Sequence, residues 1–124
     1  MRINRLISTA LGAGLLATVG LVPLAGPASA ASCYDIPTAP ANSYLKLDFL
    51  QGTTSFALRS GPSTSCSIAD TVRRGDRIQT KCYRRTTYLG ETWSYVIANR
   101  GSYYMYGWIR DDYLLGNGSP FACL

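Results

Sequence analysis

The rhythm of apolar and polar positions changes three times along the chain. Leu6 to Leu24 is one apolar run, interrupted by Gly12, Gly14 and Gly20 and preceded by Arg2 and Arg5. Pro23, Gly26 and Pro27 break any helix before Ala28-Ser29-Ala30. Residues 31–43 are rich in Ala, Ser, Pro and Asn and read as an extended arm without helix. Tyr44 to Phe49 alternates apolar with polar only in part and is an extra strand at best. From Thr53 onward Thr, Val, Ile, Tyr, Phe and Trp abound, and turn residues recur about every ten positions, the pattern of short strands. No window of helical length carries a 3.6-residue period. Arg77 to Tyr83 alternates cleanly. Ile78, Thr80 and Cys82 are expected to face the core, and Arg77, Gln79, Lys81 and Tyr83 the solvent.

The first segment has the layout of a secretory signal peptide: a positive start, an apolar stretch and a small-residue cleavage site after Ala30. A membrane anchor is the competing reading, but the run is marginal for a span of about 20 apolar residues. A lipid on Cys33 is disfavoured, because Ala30-Ala31-Ser32 is no Leu-led lipobox. Removing residues 1–30 leaves 94 residues, enough for one small domain. Arg2 and Arg5 go with the leader, so ten basic residues face seven acidic ones, a net charge of +3. That charge is too mild to announce nucleic-acid binding, and no membrane partner is expected after cleavage.

Cys33, Cys66, Cys82 and Cys123 all survive cleavage. An even count in a small exported chain reads as two disulfides, for which three connectivities exist. Zinc is disfavoured, since there is no CxxC pair and no histidine. Several short strands in under about 70 residues favour a small barrel over a sandwich, because a barrel leaves few free edges.

A series of short motifs sharpens this. Leu58-Arg59-Ser60-Gly61-Pro62-Ser63-Thr64-Ser65 is followed by the turn Arg73-Arg74-Gly75-Asp76, then Trp93-Ser94-Tyr95-Val96, Gly107-Trp108-Ile109 and Asp111-Asp112-Tyr113-Leu114. In this order they resemble the bacterial SH3 (SH3b) domain family, whose signature runs LNVRSGPST, a KG turn, WYKV, GWV and a YL close. The resemblance covers Thr53 to Leu115. It implies an all-β fold, a small SH3-like partly open barrel at 53–124; the N-terminal arm at 31–52 and the last residues lie outside the resemblance. It also implies the pairing: Cys66 with Cys82, and Cys33 with Cys123 where the termini meet. Three features depart from the family. Ala57 replaces the usual Asn, and the loops Tyr83–Thr92 and Asn99–Tyr106 are longer.

Catalysis is not expected. Without histidine there is no Ser-His or Cys-His nucleophile, and disulfides leave no thiolate. Asp111 and Asp112 are adjacent and point apart, which suits a turn better than acid–base work. No cofactor or metal is expected. Arg74-Gly75-Asp76 spells an integrin tripeptide, but the turn accounts for it. Asn117-Gly118-Ser119 spells a glycosylation sequon and reads as a loop.

Two groups of residues are candidate binding elements. Arg77, Lys81, Arg84 and Arg85 form either a solvated sheet surface or an anion-binding patch. Nine tyrosines and two tryptophans lie beyond the leader, most of them in the second half. The resemblance assigns Trp93, Trp108 and Tyr113 to a ligand groove, with Tyr104 and Tyr106 extending it from the inserted hairpin. The alternative is that Trp93 and Trp108 close the small core. The expected function is a secreted, non-catalytic binder of cell-wall peptide or peptidoglycan. A protease inhibitor, using the two long loops, and a toxin-like effector are the rivals.

Overall fold

A computed structural model describes residues 32–86 and 90–124. The expected leader, 1–30, lies outside the described residues. The strands are β1 (Lys46–Asp48), β2 (Phe56–Arg59), β3 (Ile68–Val72), β4 (Arg77–Arg85), β5 (Thr92–Arg100) and β6 (Tyr103–Arg110). A 3-10 turn follows at Asp111–Tyr113. The fold is all-β, as expected. The six strands form one antiparallel sheet in the order β1-β4-β5-β6-β2-β3. The sheet is not closed, because β1 and β3 end it without pairing to each other.

It is nevertheless strongly rolled. β3 and β4 follow one another in the chain but stand four places apart in the sheet. At about 4.8 Å per strand a flat sheet would hold them about 19 Å apart. Their connection is a tight turn, closed by the Asp76 N–H donating to the Arg73 carbonyl at 3.1 Å. Such a turn brings its ends within about 7 Å, so the sheet must curl until β3 meets β4. Val72 at the end of β3 and Ile78 at the start of β4 accordingly share one buried cluster with Leu58, Val96, Met105 and Ile109. Each such side chain withdrawn from water contributes about 1.5–3 kcal/mol.

The arm joins the sheet through β1, paired to β4 by Leu47 opposite Gln79. Asp48 is buried here because its carboxylate accepts the N–H groups of Phe49, Gly116 and Gly118 at 2.8, 2.7 and 3.0 Å. A second buried carboxylate, Asp111, accepts the Ser94 hydroxyl at 2.6 Å. Burial pushes the Asp111 carboxyl above its usual range. Asp111-Asp112 is therefore a turn element, with one carboxylate inside and the other paired to Arg110 at 2.6 Å.

Two sequence expectations are corrected. Asn99–Tyr106 is not a long loop: β5 and β6 stay paired to Arg100–Tyr103, leaving only Gly101 and Ser102 in the turn. Gly101 takes φ +69°, the left-handed geometry that tight hairpins need. The extra residues lengthen the strands. The second correction concerns β4. Thr80 faces Val96, but Cys82 faces Tyr95, so Lys81 is a bulge residue. A bulge slips the alternation by one position. Ile78 and Thr80 point into the core as expected, whereas Cys82 shares the outer face with Tyr95.

That slip undoes the expected disulfides. The bonds are Cys33–Cys66 and Cys82–Cys123, not Cys66–Cys82 and Cys33–Cys123. Cys82 meets Cys123 on the outer face, because the tail runs beside β4: the Tyr83 N–H donates to the Phe121 carbonyl at 2.7 Å and the Cys123 N–H to the Tyr83 carbonyl at 2.9 Å. Cys33 lies over the loop that follows Arg59, within reach of Cys66. Closing 33 and 41 residues, the two bonds stabilise the fold by about 4 kcal/mol each.

Candidate functional site

The outer face of the sheet has a covered half and an open half. In the covered half Tyr95 and Trp108 pack edge to face at 5.4 Å, with Trp93 in the same cluster. The arm straps this cluster. The Asp35 carbonyl accepts the Trp108 indole N–H at 2.8 Å, and the Asp35 N–H donates to the Ser60 carbonyl at 3.1 Å. The Asp35 carboxylate pairs with Arg84 at 2.7 Å, and Lys81 donates to the Pro37 carbonyl at 2.9 Å. The tail closes over the arm through the Leu124 N–H, which donates to the Thr38 carbonyl at 2.9 Å.

This strap redistributes the expected site residues. Trp108 is 0% exposed and Trp93 2%, so both serve chiefly to close a buried cluster, the alternative the sequence left open. Tyr113 is half-buried, stacked on Phe56 at 4.3 Å with Arg110 over its ring. Trp93 and Tyr113 do converge, on a small hollow of about 140 Å³ that Arg59 also lines. The basic patch does not form as one surface. Lys81 and Arg84 hold the arm, and Arg84 lies over the Trp108 ring at 5.8 Å. Arg85 donates to the Gly90 carbonyl at 3.4 Å beside the β4–β5 turn. Arg77 stands apart, next to Arg74. Residues 87–89 of that turn lie outside the described residues.

The open half carries what remains. Gln79, Ile97 and Tyr106 stand in register across β4, β5 and β6, and Asn99 and Tyr104 form the next row. Tyr104 and Tyr106 are 56% and 52% exposed, so the hairpin tyrosines are the expected aromatic residues that offer the most surface to solvent. Tyr103 is exposed too, its hydroxyl donating to the Asp70 carboxylate at 2.9 Å.

Between the strap and β6 opens a cleft of about 180 Å³ walled by Tyr34, Ile36, Tyr95 and Tyr106, with Arg59 at its side. Arg59 donates to the Cys66 carbonyl at 3.0 Å and has no carboxylate partner among the described residues. Burial pushes the Tyr95 phenol up, so it stays protonated well above neutrality. Tyr34 is 82% exposed and holds φ +64°. The left-handed region is rare for an aromatic residue and costs about 1–3 kcal/mol. The Cys33–Cys66 bond next to it keeps the strained segment in place. Tyr34, Ile36 and Arg59 were not among the sequence candidates. An exposed aromatic beside the first cysteine was the one available signal. Comparison with protein-family models, with curated proteins and with solved structures gives no match.

Proposed function

We propose that the protein is a secreted, non-catalytic binding module whose ligand is cell-wall peptide or peptidoglycan, held at the Tyr34–Tyr106 cleft. The observation that carries this reading is the cleft's composition: tyrosines from the arm, β5 and β6, with Arg59, which has no carboxylate partner among the described residues, in the lining. Aromatic faces suit the apolar faces of sugars and peptide side chains, while their hydroxyls stay wet. The guanidinium suits a carboxylate, as stem peptides carry. Two disulfides fit an oxidising compartment. Among the described residues no helix is long and apolar enough to cross a membrane.

The test is co-sedimentation of residues 31–124 with isolated walls. Tyr34→Ala and Tyr106→Ala each remove an exposed ring and leave the core alone. Each is expected to weaken binding about tenfold, the equivalent of 1.4 kcal/mol, with thermal stability unchanged. Binding should also weaken as salt rises, since Arg59 faces a carboxylate. No wall binding at low salt overturns the reading.

A further inference from the structure

A second cleft, of about 750 Å³, opens beside the β3–β4 turn and shares no lining residue with the tyrosine cleft. Its lining combines two kinds of residue. Leu47, Phe49 and Leu115, all exposed, are apolar. Arg74 and Arg77 are cationic, and neither side chain has a hydrogen bond or ion pair among the described residues. The nearby acid, Asp76, cannot neutralise them. Its carboxylate is already held by Arg100 through two hydrogen bonds of 2.8 and 2.7 Å. The volume lies within the range of about 300–1,000 Å³ typical of ligand sites.

We propose that this cleft binds an extended segment of a partner protein in which acidic side chains alternate with apolar ones. An extended chain sends successive side chains to opposite sides. A segment in which the two kinds alternate can thus offer apolar side chains to Leu47, Phe49 and Leu115 and carboxylates to Arg74 and Arg77. The guanidinium pair supplies the charge complementarity, and the concavity favours a strand over a lipid surface, which apolar side chains enter by projecting. Exposed apolar patches bordered by charge mark interaction surfaces in soluble domains.

The experiment is a fluorescence-anisotropy titration of residues 31–124 with a labelled octapeptide of alternating Leu and Glu. The controls are the same peptide with Lys for Glu and with Ser for Leu. Anionic phosphatidylglycerol vesicles form a separate arm. The Leu/Glu peptide is expected to bind at least about tenfold more tightly than either control. The double variant Arg74→Gln/Arg77→Gln should lose that preference and its salt dependence, and Leu115→Ser should weaken binding by removing an apolar contact. Both changes lie at the surface, and wall co-sedimentation should be unaffected by either, which separates this site from the tyrosine cleft. Equal affinity for the Lys peptide overturns the proposal, and so does an unchanged affinity in the double variant. Vesicle capture without peptide binding also overturns it and assigns the surface to a membrane.

Discussion

Gly61 is expected to be irreplaceable for a reason its motif does not suggest. Its φ is not positive, so its backbone geometry is open to any residue. What a side chain meets is the arm. A Cβ built on Gly61 falls onto the Ser32 carbonyl oxygen, and lies 2.7 Å from Cys66 Sγ and 2.8 Å from Cys33 Cα. Two of these three atoms are backbone, so no rotamer change relieves the overlap. The protein then has two responses. It can keep the arm docked and absorb the strain, at about 1–3 kcal/mol for overpacking. Or it can lift the arm and lose the Asp35–Ser60, Trp108–Asp35 and Arg84–Asp35 hydrogen bonds, at about 1 kcal/mol each. The cheaper route sets the cost of Gly61→Ala, which is about 1–3 kcal/mol. With a urea m-value near 1.5 kcal/mol per molar, the unfolding midpoint should fall by about 1–2 M. The assay is urea denaturation followed by tryptophan fluorescence, repeated in the Cys33→Ala/Cys66→Ala background. Without the cross-link the arm can move aside, so the cost should fall to less than half. An equal loss in both backgrounds would place the requirement in the turn itself and refute the argument.

Three further outcomes are expected. Non-reducing peptide mapping should recover Cys33 linked to Cys66 and Cys82 linked to Cys123; a Cys66–Cys82 peptide would contradict the bulge at Lys81. The Arg100 guanidinium hydrogen-bonded to Asp76 holds that carboxyl below its ordinary value of 3.8, so the pair stabilises the fold above that pH and is lost as pH falls through the lowered value. Asp76→Asn should therefore cost about 2 kcal/mol at neutral pH and almost nothing at the acid end of a pH-resolved urea series; a pH-independent cost would count against the pairing. Asp111 titrates in the opposite sense: burial raises its carboxyl, so stability present at low pH is lost as pH rises through the folded value. The stability difference between Asp111→Asn and the natural protein should move in favour of the variant from pH 4 to pH 7, and a flat difference would show that the carboxylate is not desolvated.

What the sequence disclosed was local. Alternation in Arg77–Thr80 correctly located the inner face of β4, and the β-branched and aromatic content from Thr53 onward matches described residues that hold strands and no α-helix. Arg73–Asp76 read as a turn and is one. The failures are non-local. Lys81 continues the alternating pattern perfectly, so nothing in the residues marks it as a bulge. The slip appears only when β4 is laid against β5. The disulfide pairing failed with it. Trp93 and Trp108 carry identical surface and core potential in the sequence, and the arm's path over them decides which is realised. That path depends on Asp35 meeting Trp108 across 73 residues, a contact that composition and periodicity do not encode. Of the candidate site, Tyr104 and Tyr106 were legible because an exposed hairpin tip displays its outer-face side chains. Arg59 was hidden inside a motif read as scaffold.

The two cross-links neither interlock nor nest. The first ring closes between residues 33 and 66, and the second between 82 and 123. Consecutive cysteines are thus partners throughout. For a chain threaded amino end first into an oxidising compartment, each ring can be sealed as its second cysteine emerges. The first ring would be complete before β4 has left the channel. An oxidase that joins thiols in order of arrival yields the native set directly, and the chain makes no demand on an isomerase to reshuffle it.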